Sequence, residues 1–139
     1  MLAYKCRMHP LPGSSAEELT RLARKHYHQI QKRTPRRTPY VRAKYFQADK
    51  IFINNYWDHL KQKSRKERVA RLRLYPCALE VLQQSTFPPV VTRLSISPHK
   101  SYFRFLGKTN TSNFYVQVQV NNKSGRKDLM SAFPIARTK

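Results

Sequence analysis

Phe114-Tyr115-Val116-Gln117-Val118-Gln119-Val120 alternates bulky apolar with polar residues along its length. β-Branched valines at every second position have the period of a half-buried strand and not of a helix. Val116, Val118 and Val120 are therefore expected to face a core, and the glutamines to face away from it. Residues 110–113 before this stretch are turn-like, and residues 102–107 beyond them are short, aromatic and β-prone. Residues 121–125 form a second turn and residues 128–133 a third strand. Two consecutive hairpins predict an antiparallel meander.

Upstream of the meander the period changes to that of helices. Ser14-Ser15-Ala16-Glu17 has the form of a capping box, a hydroxyl followed three residues later by a carboxylate. The helix it opens is expected over residues 15–32, with Leu19, Leu22, Ala23, His26 and Ile30 on one stripe. Thr34-Pro35-Arg36-Arg37-Thr38-Pro39 breaks it and is either a solvated linker or a phosphate-contacting arm. A second helix is predicted over residues 47–63, where Phe52, Ile53, Tyr56, Trp57 and Leu60 cover one face. A polar break at residues 64–67 leads to a third helix reaching residue 84, with a kink or a restart at Pro76. Helices first and hairpins last give an α+β fold, N-terminal helices packed on a C-terminal antiparallel β-meander. Residues 1–45 read as a basic N-terminal arm and helix. Residues 46–139 read as a helical segment plus sheet, and the two parts are expected to form one unit.

The charge is the strongest functional signal. The chain has 139 residues, 28 Lys plus Arg against 7 Asp plus Glu, and a formal net charge of +21. Such an excess repels itself in a compact state and calls for a polyanionic partner, for which phosphate backbones are the usual case. RNA is the expected partner. An anionic membrane surface and simple solubility are the weaker readings of this basic footprint. No apolar run approaches the length of a membrane span. No apolar segment of signal-peptide type opens the sequence, so a cytoplasmic protein is the default. Cys6 and Cys77 have neither zinc-ligand spacing nor a disulfide framework and are expected as free thiols.

The densest basic run holds Lys61, Lys63, Arg65, Lys66, Arg68, Arg71 and Arg73, opposed only by Glu67. A solvated helix face alternates signs and this one does not, so these residues, with Arg36, Arg37 and Arg104, are the candidate nucleic-acid contacts. His59 stands immediately before the run. It is either structural or an acid–base group, since imidazole titrates near neutrality. The seven carboxylates are scattered, with no obvious cluster to hold Mg²⁺, and no phosphate-binding Gly loop, nucleophile elbow or zinc pattern is present. Neither a metal nor a small-molecule cofactor is expected. Cleavage without metal is chemically simple only for RNA, whose 2′-hydroxyl attacks its own phosphate. Lys108, Thr109 and Ser131 in the sheet are polar candidates, with ordinary turn or strand chemistry as the alternative.

Three segments carry a resemblance: Phe103-Arg104-Phe105-Leu106-Gly107-Lys108-Thr109, Phe114-Tyr115-Val116-Gln117-Val118, and Leu129-Met130-Ser131-Ala132-Phe133-Pro134. They resemble the C-terminal sheet of the barnase–EndoU–colicin–RelE group of small ribonucleases, most closely its phage- and mobile-element-associated branch. Trp57-Asp58-His59-Leu60, Arg68-Val69-Ala70-Arg71-Leu72 and Pro76-Cys77-Ala78-Leu79 resemble the helical half of such proteins. The likeness covers roughly residues 46–134. It implies helices on an antiparallel sheet and metal-independent RNA cleavage, as in a toxin acting on tRNA or mRNA. It implies His59 as acid or base, Arg71 and Lys108 at the phosphate, and Thr109 or Ser131 as polar supports. A cognate acidic inhibitor or antitoxin would then be a second partner. Two rival readings need no catalysis. One is an RNA-binding, ribosome-associated protein using the stacking aromatics Tyr102, Phe103, Phe114 and Tyr115. The other is a basic DNA-binding protein of a mobile element.

Overall fold

The Val-Gln alternation becomes a central strand of a seven-stranded sheet. The computed structural model describes residues 2–34, 36, 38–94 and 98–135. Their strands are β1 (Tyr4–Lys5), β2 (Tyr40–Ala43), β3 (Asp49–Phe52), β4 (Val91–Leu94), β5 (Lys100–Lys108), β6 (Asn113–Asn121) and β7 (Lys127–Pro134). The helices are α1 (Ala16–Arg33), α2 (Asn55–Lys61), α3 (Arg65–Arg73) and α4 (Tyr75–Gln84). The fold is mixed α+β. The strand order is β1-β5-β6-β7-β3-β2, with β4 also pairing β5. β5, β6 and β7 form the expected antiparallel meander, but β1 joins β5 and β3 joins β7 in parallel, so the whole sheet is mixed.

Val116 and Val118 are fully buried and Val120 is packed at the margin of the core. Cross-strand neighbours continue the same face: Phe105 lies opposite Val116, Gly107 opposite Phe114, and Leu129 opposite Val118. A bulge between Gln117 and Val118 leaves Met130 of β7 without a partner in the ladder. The extra residue lets Leu129 point inward while Ser131 and Phe133 point to the other face. The helices cover the inner face, with α2 and α3 against β7, α4 against β2 and β5, and α1 against α3. One apolar cluster runs from Leu19, Ala23 and Tyr27 of α1 through α4 to Val116, Val118 and Leu129. Residues 1–45 thus share a core with the remainder.

Helix boundaries follow the caps. Ser15 accepts a hydrogen bond from the Glu18 backbone N–H, so the capping pair lies one residue later than Ser14 and Glu17. The apolar face of α1 is Ala16, Leu19, Ala23 and Tyr27. Leu22 and His26 are only half-buried, and burial lowers the His26 pKa. The polar break at residues 64–67 is itself a cap, Ser64 accepting from the Glu67 N–H. Pro76 restarts the helix as α4, with its missing N–H in the first turn where none is needed.

The predicted helix over residues 47–63 is a correction. Its first part is β3, which pairs antiparallel with β2 (Tyr40 opposite Phe52, Ala43 opposite Asp49), and only Asn55–Lys61 is helical. Asp49-Lys50-Ile51-Phe52 is too short to show a strand period of its own, and pairing with β2 and β7 selects the strand. The arm is a correction as well. Tyr4 and Lys5 extend the sheet, and Glu80 of α4 fixes the residues after them. Glu80 accepts from the Tyr4 hydroxyl at 2.6 Å, from the Arg7 N–H at 2.8 Å and from the Met8 N–H at 2.7 Å. Cys6 and Cys77 are free thiols beside this junction.

Candidate functional site

Strand alternation sorts the meander into two faces. Opposite the buried valines, the outer face carries Tyr102, Arg104 and Lys108 from β5, Tyr115, Gln117 and Gln119 from β6, and Ser131 and Phe133 from β7. Register places Arg104 opposite Gln117, Gln117 opposite Ser131, and Tyr115 opposite Phe133. The Arg104 Nε donates to Gln117 Oε1 at 2.9 Å.

Arg71 reaches this face from a helix. β3 pairs with β7 only at Lys127 and Asp128, so α2 and α3 run beside the rest of β7. Arg71 of α3 donates from Nη1 to the Ser131 hydroxyl. Its guanidinium carbon lies 5.0 Å from the centre of the Phe133 ring, and that of Arg104 lies 5.2 Å from the same centre. Arg104 also lies 5.6 Å from the Tyr115 ring, which meets Phe133 edge-on at 5.7 Å. Two cations therefore share one aromatic ring, each held by a contact worth about 0.5–2 kcal/mol. The Arg71 charge is partly offset by Glu67 at 3.6 Å, while Arg104 has no carboxylate partner among the described residues. A planar guanidinium fixed in this way can offer its free N–H donors to an anion such as phosphate, and an aromatic ring can offer a surface to a base.

The other predicted site residues divide into those near this cluster and those committed elsewhere. His59 is half-buried on α2, one turn after Asn55, whose side-chain N–H donates to Asp128 of β7 at 3.2 Å. Tyr56 of the same helix donates to the Arg71 backbone carbonyl at 3.4 Å. No hydrogen bond or ring contact among the described residues joins the His59 side chain to Arg71, Arg104 or Ser131. Lys108 is exposed at the end of β5, on the outer face but four residues beyond Arg104. Thr109 has the turn chemistry left open for it. It is buried, and its hydroxyl donates to the Ser112 carbonyl and accepts the Ser112 N–H, so it shapes the β5–β6 turn.

The basic run is also divided by the fold. Arg65 pairs with Glu17 at 3.1 Å, and Arg73 donates to the Gly13 carbonyl at 2.7 Å, so both tie α3 to the start of α1. Arg68 is half-buried, and its Nε is buried without a hydrogen-bond partner. Lys61 and Lys66 are exposed, Lys63 is half-exposed, and Arg36 is exposed. Arg37 lies outside the described residues. Of the stacking candidates, Tyr102 and Tyr115 lie on the outer face, but Phe103 and Phe114 point inward and pack in or on the core.

Most acids are engaged: Glu17, Glu67, Asp49 and Asp128 in ion pairs, and Glu80 in the arm junction. Among the described residues no three His, Cys, Asp or Glu side chains come together in a way that could hold a metal ion. No described helix is long and apolar enough to cross a membrane. A cleft of about 660 Å³ lies apart from the arginine cluster, between the arm, α1 and α4, and is lined by Tyr4, Arg7, His26, Arg33 and Glu80. The carboxylate there already accepts four hydrogen bonds.

Gln117, Tyr115 and Phe133 complete the cluster, and only Tyr115 figured among the sequence candidates. The signal for the others was the same alternation that identified the core, read on its polar side. No family model, curated protein or solved structure matches the chain.

Proposed function

We propose that the outer face of the meander is a single-stranded RNA site and that the chain cleaves RNA there without a metal. In this reading α2 to α4 on β5–β7 form a ribonuclease unit of the barnase–EndoU–colicin–RelE type, and residues 1–45 are an addition to it. The observation that carries the proposal is the placement of Arg71 and Arg104 on Phe133, beside Ser131 and Gln117, in a chain of net charge +21. Two fixed guanidinium groups match the charge that develops on a pentacoordinate phosphorane. The 2′-hydroxyl attacks the adjacent phosphorus and loses its proton to a base. The P–O5′ bond breaks and the leaving oxygen takes a proton, giving a 2′,3′-cyclic phosphate and a 5′-hydroxyl. His59 is assigned the proton transfer, supported by its place one turn from Asn55, which contacts β7.

The test is cleavage of tRNA or mRNA in EDTA. His59→Ala is expected to lose about 10²–10⁴-fold in rate, the usual worth of acid–base catalysis, with RNA affinity nearly intact. Arg71→Ala is expected to weaken both. Substrate with a 2′-deoxy residue at the cut is expected to resist. Binding should fall by orders of magnitude as salt rises through the physiological range. A second reading, RNA binding without catalysis, is favoured because no hydrogen bond or ring contact among the described residues joins His59 to the two arginines. It becomes the better account if His59→Ala cleaves at the wild-type rate or if RNA is bound and protected. A preference for duplex DNA rejects both.

A further inference from the structure

The outer face continues past β7 onto the β2–β3 hairpin, and its chemistry continues with it. Register places Tyr40 opposite Phe52 and Phe52 opposite Asp128, so these side chains share the face that carries Phe133. Tyr40 and Phe52 meet edge-on at 6.1 Å, and both are half-exposed. Lys50 Nζ lies 4.8 Å and the Arg42 guanidinium 5.5 Å from the centre of the Tyr40 ring. The Arg126 guanidinium lies 4.3 Å from the centre of the Phe52 ring, held there by the buried carboxylate of Asp128 at 3.2 Å. The core does not need these two rings, because Val41, Ala43 and Ile51 on the same strands already fill the inner face. The Arg126–Asp128 pair is neutral, so Arg42 and Lys50 supply the net charge.

We propose that the β2–β3 hairpin is a second subsite for single-stranded RNA, continuous with the Phe133 cluster. Tyr40 and Phe52 stack bases, and Arg42 and Lys50 hold the backbone. The proposal rests on the RNA reading above and adds the direction and length of the bound strand. Phe133 is five residues beyond Asp128 along β7, but one of the five is the bulged Met130, and the partners of the two ends on β6, Gln119 and Tyr115, are four residues apart. At about 3.3 Å per residue the two aromatic clusters are roughly 13 Å apart. That distance spans about four nucleotides at a stacked rise of ~3.4 Å. A strand filling both subsites leads from the hairpin to the arginines. Unpaired bases are required, because rings on a sheet can stack only on exposed base faces.

The experiment uses the whole chain and fluorescent 2′-O-methyl oligonucleotides, which lack the attacking hydroxyl and are bound without being cut. Oligomers of about three and about ten nucleotides are compared, the longer being of the size a single-stranded site usually takes. Wild type is expected to prefer the longer one. Tyr40→Ser/Phe52→Ser is expected to lose about 5- to 150-fold on it for each stacked base, with the short oligomer bound close to wild type. Arg42→Glu/Lys50→Glu changes only side chains at the surface and is expected to remove the same preference, which covers the case in which the aromatic variant unfolds. A ten-nucleotide oligomer carrying 4-thiouridine is expected to photocrosslink to Tyr40 or Phe52 in wild type. If the charge variant keeps the preference and no crosslink forms on the hairpin, the subsite is wrong while the RNA reading stands. If wild type binds neither oligomer, the RNA reading itself fails and the subsite falls with it. Equal sensitivity with single-stranded DNA or duplex RNA of the same length overturns the choice of occupant.

Discussion

Gly107→Ala tests whether the inner face of the meander is packed as tightly as the register implies. Gly107 of β5 lies directly opposite Phe114 of β6, and the Phe114 ring is fully buried over it. A Cβ at position 107 comes within 2.8 Å of both Cε atoms of that ring and closer still to Cζ. Carbon atoms rest at about 3.5–4.0 Å, so the ring or the strand must move by about 1 Å. The ring has no solvent to move into, and over-packing of this kind costs about 1–3 kcal/mol. Replacing glycine within a strand gives back up to about 1 kcal/mol of backbone entropy. The net expectation is a loss of about 1–2 kcal/mol, or a melting midpoint lower by roughly 3–10 °C for a domain of this size. Urea unfolding followed by circular dichroism measures it. Phe114→Leu removes the ring atoms that clash, so Gly107→Ala is expected to be nearly neutral in that background. A loss of the same size in both backgrounds, or no loss in either, refutes the argument.

Val118→Asp places a carboxyl group in the fully buried row of β6, where it must stay protonated or unfold the sheet. The expected cost is about 3 kcal/mol or more, and an unchanged thermal midpoint shows the face to be exposed. Gln47 and Ala48 in the β2–β3 turn have φ of 58° and 66°, a left-handed conformation that costs a non-glycine residue about 1–2 kcal/mol. Ala48→Gly is therefore expected to raise stability by up to about 1 kcal/mol, and a lower urea midpoint contradicts it. Burial opposes ionisation of Glu80, but hydrogen bonds from Tyr4, Arg7 and Met8 outweigh it and hold its pKa below the ordinary 4.5. The stability that follows is fully present above pH 4.5 and is lost as pH falls through the lowered folded value. Glu80→Gln is expected to cost about 2–3 kcal/mol at neutral pH, with a smaller gap from wild type in acid. A gap that is constant with pH rules out the carboxylate as the cause.

The meander was legible because its information is local. Alternation of Val116, Val118 and Val120 with glutamines fixes both the strand and its buried face, and turns of Asn, Ser and Gly set its limits. Helix α1 and the restart at Pro76 were legible for the same reason. β1, β2, β3 and β4 were missed because short strands of two to four residues have no periodicity of their own. They form because distant partners offer unpaired edges. The site was half legible. Arg71, Arg104 and Ser131 were named, but on separate grounds, and nothing in their spacing joins a helix residue to β5 and β7. The bulge at Met130 decides that Ser131 and Phe133 share a face with Gln117, and a bulge leaves no mark in a pattern of apolar residues. The charge run is divided by the fold in a way its sequence does not show. A dense row of Lys and Arg reads as one patch, but a helix distributes it around its axis, and two of its members spend their donors on α1 and Gly13.

The junction at Glu80 also orders events in time. Its tyrosine partner lies 76 residues earlier in the chain, and the strand that Tyr4 joins lies later still. At a synthesis rate of about 5–20 residues per second, roughly 4–15 s pass between the emergence of the two ends of that hydrogen bond. Helix α1 can form and re-form many times in such an interval, since helix–coil relaxation takes about a microsecond or less. Tyr4 and Lys5 thus find their place only after α4 and β5 have been made. Until β5 arrives, the arm is a peptide without a fold, open to proteases and to any chaperone that reads unpaired strands.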